Sequence, residues 1–296
     1  MEKKTAVVSK DANVEVKNSP VGSLFATIVI PLAIVICVLI YMFVLGNPAN
    51  FEGGSNENHP LPGNYLGIVY KGGWVVPVLM SLVLLVIIFA IERALTISKA
   101  KGKRSVAKFV RAISAKLNQR DVNGALAACD AQKGSVANVV KSGLLKYKEM
   151  QNDTELLKAE KIAAIQKEIE ESTSLELPML EKNLVIISTI ASISTLVGLI
   201  GTVLGMIKAF SALAAAGTPD ATALSNGISE ALINTALGIT GSALAIVAYN
   251  FFTSKIDELT YSIDEAGFSI ISTFAAQHDA GTPVQPVAGA PVRQTV

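Results

Sequence analysis

The sequence predicts an all-α fold, a polytopic membrane helical bundle with four transmembrane helices per chain and cytosolic helical extensions. Three observations predict this fold. Four apolar stretches each reach the length of about 20 residues that a helix needs to cross a bilayer. Hydrophobic residues make up 51% of the chain, and the mean hydropathy of +0.48 is high for a soluble domain. Most basic residues lie between the second stretch and the third.

These stretches divide the whole chain into segments. In order, the expected segments are a cytosolic N-terminal segment 1–20, transmembrane helix 21–46, periplasmic loop 47–71, transmembrane helix 72–97, cytosolic helical domain 98–183, transmembrane helix 184–216, periplasmic turn 217–222, transmembrane helix 223–253, cytosolic helix 254–278 and disordered tail 279–296. The first stretch is too long for the core of a signal peptide and lacks a clear cleavage site, so we expect it to stay in the membrane.

The distribution of Lys and Arg predicts the orientation. Residues 98–183 hold 16 of the 25 basic residues, and residues 1–20 hold four. The loop 47–71 holds one, Lys71, and the turn 217–222 holds none. Because loops rich in Lys and Arg stay in the cytosol, we expect both termini and the insert 98–183 to be cytosolic.

The cytosolic insert shows helical periodicity. Five apolar residues fall on one face of a helix: Val106, Phe109, Val110, Ile113 and Leu117. Asp121 is expected to cap a short helix, and another helix is expected from Ser135 to about Met150. Residues 154–176 are dense in good helix formers, and we expect Pro178 to disturb the helix that they form.

Composition excludes several classes of function. The two cysteines and two histidines are scattered and show no spacing typical of a disulfide framework or a zinc site. Neither a nucleophile–base pair nor a phosphate-binding loop is present, so we expect no enzyme, no metal and no cofactor. The net charge of +1 indicates no nucleic-acid partner.

Small and polar residues distinguish the last two spans from the first two. Five glycines give them closely packing faces: Gly198, Gly201, Gly205, Gly238 and Gly241. Two interpretations stay open, a tight hairpin within one chain and tight packing around an oligomer axis. Because hydroxyl and amide residues are also concentrated there, we expect spans three and four to form a polar inner layer and spans one and two a lipid-facing wall.

Glu230 is the acidic residue of spans three and four. An acid in a bilayer costs about 2.5 kcal/mol or more, so it indicates function by default. It is interpreted either as an ion-relay or partner-docking carboxylate, or as a structural group bonded to Lys208 across the hairpin. Asn234 lies on nearly the same helical face, whereas Thr235 lies about 140° away and is expected to face a neighbouring helix.

Two motifs carry a resemblance to a known family. GLIGTVLGM (198–206) and GISEALINTALGI (227–239), followed by AIVAYNFF, resemble the paired motifs of the ExbB/TolQ proton-channel motor subunits. IERAL (91–95) and DVNGALAAC (121–129) resemble the same family, so that the resemblance covers about residues 73–275.

The resemblance implies a function and a set of partners. It implies an inner-membrane homopentamer that encloses the single helices of two ExbD/TolR-like subunits, conducts protons and drives a TonB- or TolA-like protein. By resemblance the pore glutamate is Glu230, and the two pore-region threonines are Thr202 and Thr235. Asn234 and the five glycines are interpreted as pore-lining or packing residues, with lipid on the outer wall.

The sequence departs from the family pattern at three points. Ser194 and Thr195 stand where the family usually has Ala-Pro, no proline follows the last glycine motif, and 21–46 is an additional span. Four spans with a cytosolic insert also resemble MotA-type flagellar stators. The alternatives are therefore such a stator, or a non-conducting membrane scaffold whose Glu230 docks a partner helix. The residues leave the downstream process and the choice of H⁺ or Na⁺ open.

Overall fold

The computed structural model describes the backbone of residues 21–215 and 221–279, with side chains over 25–214 and 221–277. The expected N-terminal segment 1–20, most of the turn 217–222 and the tail from 280 lie outside the described residues. The helices are α1 (Val21–Ile40), α2 (Tyr65–Tyr70), α3 (Val75–Lys101), α4 (Val106–Asn118), α5 (Val122–Gln132), α6 (Ser135–Asn152), α7 (Lys158–Glu181), α8 (Leu184–Ala215) and α9 (Ala221–Asp279).

The described part of the chain contains helices and no strand, which confirms the all-α prediction. Four helical stretches are long and apolar enough to cross a membrane, as expected: Phe25–Leu45, Val75–Asn118, Leu184–Ala214 and Ala221–Gln277. The first combines α1 with a π-helical turn, Tyr41–Leu45. The last belongs to a single helix of 59 residues, which runs on from the fourth span as expected.

The membrane helices pack in a layered order. Helices α8 and α9 form an antiparallel hairpin, and α3 packs against both of them. Helix α1 packs on α3, where the rings of Phe25 and Phe89 meet edge to face at 6.2 Å between centroids. One face of α1 is exposed, including Ile28, Leu32 and Val35. This order places the hairpin on the far side of α3 from α1.

The helices α4 to α7, between the second and third spans, form a compact core against the end of α9. Ile113, Leu117 and Ile165 are fully buried there. The hydroxyl of Tyr147 donates a hydrogen bond to Gln277 Oε1 at 2.8 Å, and its ring packs edge to face on Phe274. The long α9 therefore links the membrane hairpin directly to the helical domain formed by α4 to α7.

The expected helix starts and stops are mostly present, but the expectation for Pro178 is wrong. Asp121 Oδ1 accepts a hydrogen bond from Gly124 N at 2.8 Å and caps α5, as expected. Pro178 lies inside α7, which continues to Glu181. The last turn of α7 is held by Arg93, which is 3% exposed and donates to the Leu180 carbonyl at 2.8 Å. Such anchoring satisfies helix-end carbonyls that would otherwise lack donors.

The loop between the first and second spans is folded rather than extended. Asn50 donates to the carbonyls of Val44 and Leu45 at 2.8 and 3.0 Å and accepts from Asn64 at 3.0 Å. The ring of Tyr70 stacks on Tyr41 at 4.7 Å between centroids. These contacts tie the π-helical turn to α2 and fix the position of the glycines that precede α3.

Candidate functional site

A buried carboxylate and a half-exposed lysine side chain form an ion pair near the end of the hairpin where α8 ends and α9 begins. Glu230 on α9 lies 2.6 and 2.9 Å, through its two oxygens, from the Nζ atom of Lys208 on α8. The side chain of Glu230 is 9% exposed and that of Lys208 is 53% exposed. The structure therefore contains the bond to Lys208 that one of the two interpretations of Glu230 required.

The start of α3 closes over the carboxylate. Gly73 has φ +78°, and its Cα faces Glu230 so closely that a Cβ atom there would collide with Oε1. Gly73 is thus required both by its backbone conformation and by its distance from the acid. Tyr41, in the π-helical turn, lies close enough to interact electrostatically with Glu230. Sequence reasoning missed Gly73 and Tyr41; the Gly-Gly pair just before the second span was the available signal.

Asn234 links the hairpin to the same segment. Its Nδ2 atom donates to the Gly72 carbonyl at 2.8 Å, and Gly201 on α8 packs directly against its side chain. Asn234 is fully buried, and its Oδ1 atom has no hydrogen-bond partner among the described residues. Asn234 therefore helps to hold the Gly72–Gly73 turn over Glu230.

The two threonines meet at a separate place between the same helices. The hydroxyls of Thr202 and Thr235 hydrogen-bond to each other. Both also lie near the Ala231 carbonyl, at 3.3 Å for Thr202 and 3.1 Å for Thr235. Thr235 thus faces α8 of its own chain, whereas the hydrogen bonds of Glu230 run to Lys208. The structure brings the two threonines together and places Glu230 in a different set of contacts.

Thr202 also lines an open groove on the surface of α8. The groove has a volume of about 550 Å³ and is otherwise almost entirely apolar. Its other lining residues are Val203, Met206, Ile207, Phe210, Ser211 and Ala214. The threonine pair therefore lies beside the exposed face of the hairpin, and the ion pair lies beside the start of α3.

The glycines of spans three and four pack within the chain. A Cβ atom on Gly198 would approach Gly238 Cα to 3.0 Å, and one on Gly205 would approach the Ala231 amide to 2.7 Å. Gly241 faces the hydroxyl of Ser194, which is fully buried. Of the two interpretations of these glycines, the structure thus contains the intrachain hairpin.

Comparison with known proteins gives a family for the segment that carries these residues. Residues 133–265 match the model of the MotA/TolQ/ExbB proton channel family. This range includes Glu230, Lys208 and both threonines, and it lies within the stretch 73–275 over which the sequence motifs indicated a resemblance. Among the described residues no group of three or more metal-ligating side chains is found.

Individual relatives match over shorter segments. The putative biopolymer transport protein ExbB-like 3 of Synechocystis is 36% identical over 29% of this chain and 42% of its own length. The Tol-Pal system protein TolQ of Haemophilus influenzae is 37% identical over 28% of this chain and 37% of its own length. The biopolymer transport protein ExbB of Salmonella typhimurium is 32% identical over 35% and 43%.

The chain thus spans about two fifths of the length of these curated relatives. The match nevertheless falls on the hairpin motifs and on helices α6 and α7, which precede them. The resemblance inferred from the paired motifs is confirmed: residues 133–265 match the MotA/TolQ/ExbB proton channel family, and shorter segments of the chain are similar to ExbB and TolQ.

Proposed function

We propose that this protein is an ExbB/TolQ-like motor subunit of the bacterial inner membrane. With ExbD/TolR-like single-span partners it conducts protons and converts proton motive force into mechanical work on a TonB- or TolA-like protein. The observation that carries the proposal is the carboxylate of Glu230, buried in the outer part of a hairpin that matches a proton channel family. Buried acids in membrane spans are typical of proton relays.

The assembly that we propose follows the family resemblance. Five copies surround two partner helices, both termini face the cytosol, and lipid covers the outer wall. The groove beside Thr202 is the surface of the hairpin that a partner helix would occupy. Because the glycine faces are filled within the chain, they do not support the pentamer, which rests on the resemblance alone.

The energy available per proton is modest. Each elementary charge that crosses the membrane potential releases about 2.3 kcal/mol per 100 mV. This is a few times RT, which is enough to bias a small rotational step of the two partner helices within the ring of five chains. The proposal therefore needs Glu230 to take up and release one proton at a time, without a large rearrangement of α8 and α9.

The ion pair favours a second candidate function. Because Lys208 on α8 bonds both oxygens of Glu230 on α9, the carboxylate can serve as a structural link between the two helices. On this reading the protein is a non-conducting scaffold whose outer hairpin docks a partner helix. The two candidate functions predict different results for Glu230→Gln, the variant that lacks the titratable carboxyl group.

The test is co-expression with a single-span subunit that carries a membrane aspartate, followed by native mass spectrometry of the purified complex. We expect five copies of this chain and two of the partner. Glu230→Gln keeps this assembly and abolishes uptake that depends on proton motive force. Full uptake by the variant contradicts the relay, and loss of the partner from the variant supports the scaffold instead.

A further inference from the structure

Lys208 is the basic residue of α8, and its position is unusual for a membrane helix. Its ammonium bonds both oxygens of one buried carboxylate, while about half of its own side chain stays exposed. A second Lys–Glu pair on α9, Lys255–Glu258, is exposed on both sides at 48% and 63%. The pair near the end of the hairpin thus combines a buried acid with a lysine whose side chain is half exposed on the surface of the chain.

The other groups around Glu230 carry no positive charge. From the segment before α3 it meets the backbone of Gly73. In the π-helical turn, the hydroxyl of Tyr41 donates to the Tyr70 carbonyl at 3.0 Å, and among the described contacts it makes no hydrogen bond to Glu230. The nearby Lys71 directs its ammonium to the carbonyls of Asn56 and Glu57. Among the described residues, Lys208 is therefore the cation in contact with Glu230.

We infer that Lys208 is a positioning residue of the proton relay, which holds Glu230 as a carboxylate and releases it when a proton arrives. This inference rests on the proposed function. A proton from the outer side forms an O–H bond with one carboxylate oxygen, and the neutral carboxyl loses its strong attraction to the ammonium. Because the lysine tail is half exposed, the ammonium then turns toward water or lipid headgroups.

The cycle closes when the proton leaves. Glu230 gives its proton to water or to a partner's carboxylate, the O–H bond breaks, and the negative charge returns to the carboxylate. The ammonium of Lys208 then binds both oxygens again, which restores the observed geometry. Lys208 keeps its three protons throughout, so one proton enters and one leaves per cycle.

This role has a consequence for the pH dependence of proton flux. A cation in contact with a carboxylate opposes proton uptake, because its positive charge attracts the ionised form. Removing the charge of Lys208 therefore lets Glu230 take up a proton from a more alkaline outer solution. A lysine that served only to pack the hairpin would change the amount of folded protein and leave the pH profile in place.

The experiment uses the full chain in complex with its partner subunits in proteoliposomes. Proton flux is measured as the outer pH varies at constant inner pH and constant membrane potential. We compare wild type with Lys208→Met, Lys208→Arg and Lys71→Met. Lys71→Met is the control: it also removes a positive charge on the expected outer side, but the Lys71 ammonium does not contact Glu230. We expect the pH of half-maximal flux to rise by about one unit or more in Lys208→Met. The profiles of Lys208→Arg and Lys71→Met are expected to follow wild type.

An infrared measurement tests the same role without relying on flux. The carboxyl C=O stretching band that disappears in Glu230→Gln is followed in the full chain as the pH rises. In Lys208→Met we expect this band to persist to higher pH than in wild type. If Lys208→Met does not assemble with the partner subunits, Lys208→Gln is used in its place. Identical titrations of this band, or superimposed flux profiles, overturn the inference. Wild-type flux in Glu230→Gln instead overturns the proposed function, while the infrared comparison still decides the role of Lys208.

Discussion

The tight approach of α8 and α9 predicts a large difference between two identical substitutions on one helix. At Gly238, a Cβ atom would lie 2.8 Å from both Gly198 Cα and the Ser194 carbonyl oxygen, which are backbone atoms that cannot rotate away. At Gly267, farther along α9, the same atom would lie 3.4 and 3.6 Å from two carbon atoms of the Ile169 side chain. These are ordinary van der Waals contacts.

The magnitude follows from comparing the two sites. Replacing glycine by alanine inside a helix stabilises it by about 0.5–1 kcal/mol, and this gain applies to both positions. At Gly238 the added methyl group also forces the two helices apart, and overpacking of this kind costs about 1–3 kcal/mol. Because the helical gain cancels in the comparison, Gly238→Ala should be less stable than Gly267→Ala by about 1–3 kcal/mol.

The assay is unfolding of the purified chain in mixed micelles, followed by circular dichroism as the fraction of denaturing detergent increases. We expect Gly267→Ala to unfold at or above the wild-type midpoint and Gly238→Ala to unfold below it. Equal midpoints for the two variants would refute the close packing of the hairpin. A change in oligomeric state by Gly238→Ala with unchanged chain stability would instead assign this glycine to an interface between copies.

Three further predictions concern the parts outside the membrane. Burial raises the pKa of Cys129 to about 12, so in a Cys37→Ala background we expect iodoacetamide to modify Cys129 slowly at pH 8 until the chain is unfolded. Because an unfolded thiol ionises near the ordinary value of 9.0, the core formed by α4 to α7 should lose stability as the pH rises from about 9 toward 12, and Cys129→Ser should not show that loss. The hydrogen bond from the Gly124 amide, together with Lys116, lowers the pKa of Asp121, so its contribution is present above the ordinary value of 3.8 and is lost as the pH falls below it. Thermal unfolding is therefore expected to show a lower midpoint for Asp121→Ala at pH 7, with Asp121→Asn as the control that keeps an acceptor for the cap. Single cysteines at the exposed positions Asn56 and Gln119 should react with a membrane-impermeant reagent from the periplasmic and the cytosolic side, respectively, and periplasmic labelling of Gln119 contradicts the orientation.

Much of the fold could be predicted from the sequence because bilayer-spanning helices have a strong local signal. Length and apolarity located the four spans, and the cap at Asp121 located the start of α5. The local rule failed at Pro178, where contacts from a distant residue decide the outcome. Arg93, 87 residues away from Leu180 in the chain, holds the last turn of α7 in place. No periodicity or propensity near Pro178 contains that information.

Candidate site residues could be chosen from the sequence, but their arrangement could not. The resemblance indicated Glu230, Thr202 and Thr235, yet the contacts of each depend on how two helices meet. The structure pairs the threonines with each other and pairs Glu230 with Lys208. The helical angle between Glu230 and Thr235 correctly indicated different directions, but it gave no partner for either. Gly73 and Tyr41 come from another part of the chain and carry no motif.

The most direct test of the central claim compares two glutamates on the same helix. Glu230 is buried with an accessible lysine, whereas Glu258 forms a solvent-exposed pair with Lys255 at 2.8 Å. The measurement is proton flux into proteoliposomes that contain the assembled complex, driven by a potassium diffusion potential, for Glu230→Gln and Glu258→Gln. We expect Glu230→Gln to reduce flux to the level of empty liposomes and Glu258→Gln to match wild type. Wild-type flux in an assembled Glu230→Gln complex would contradict the account.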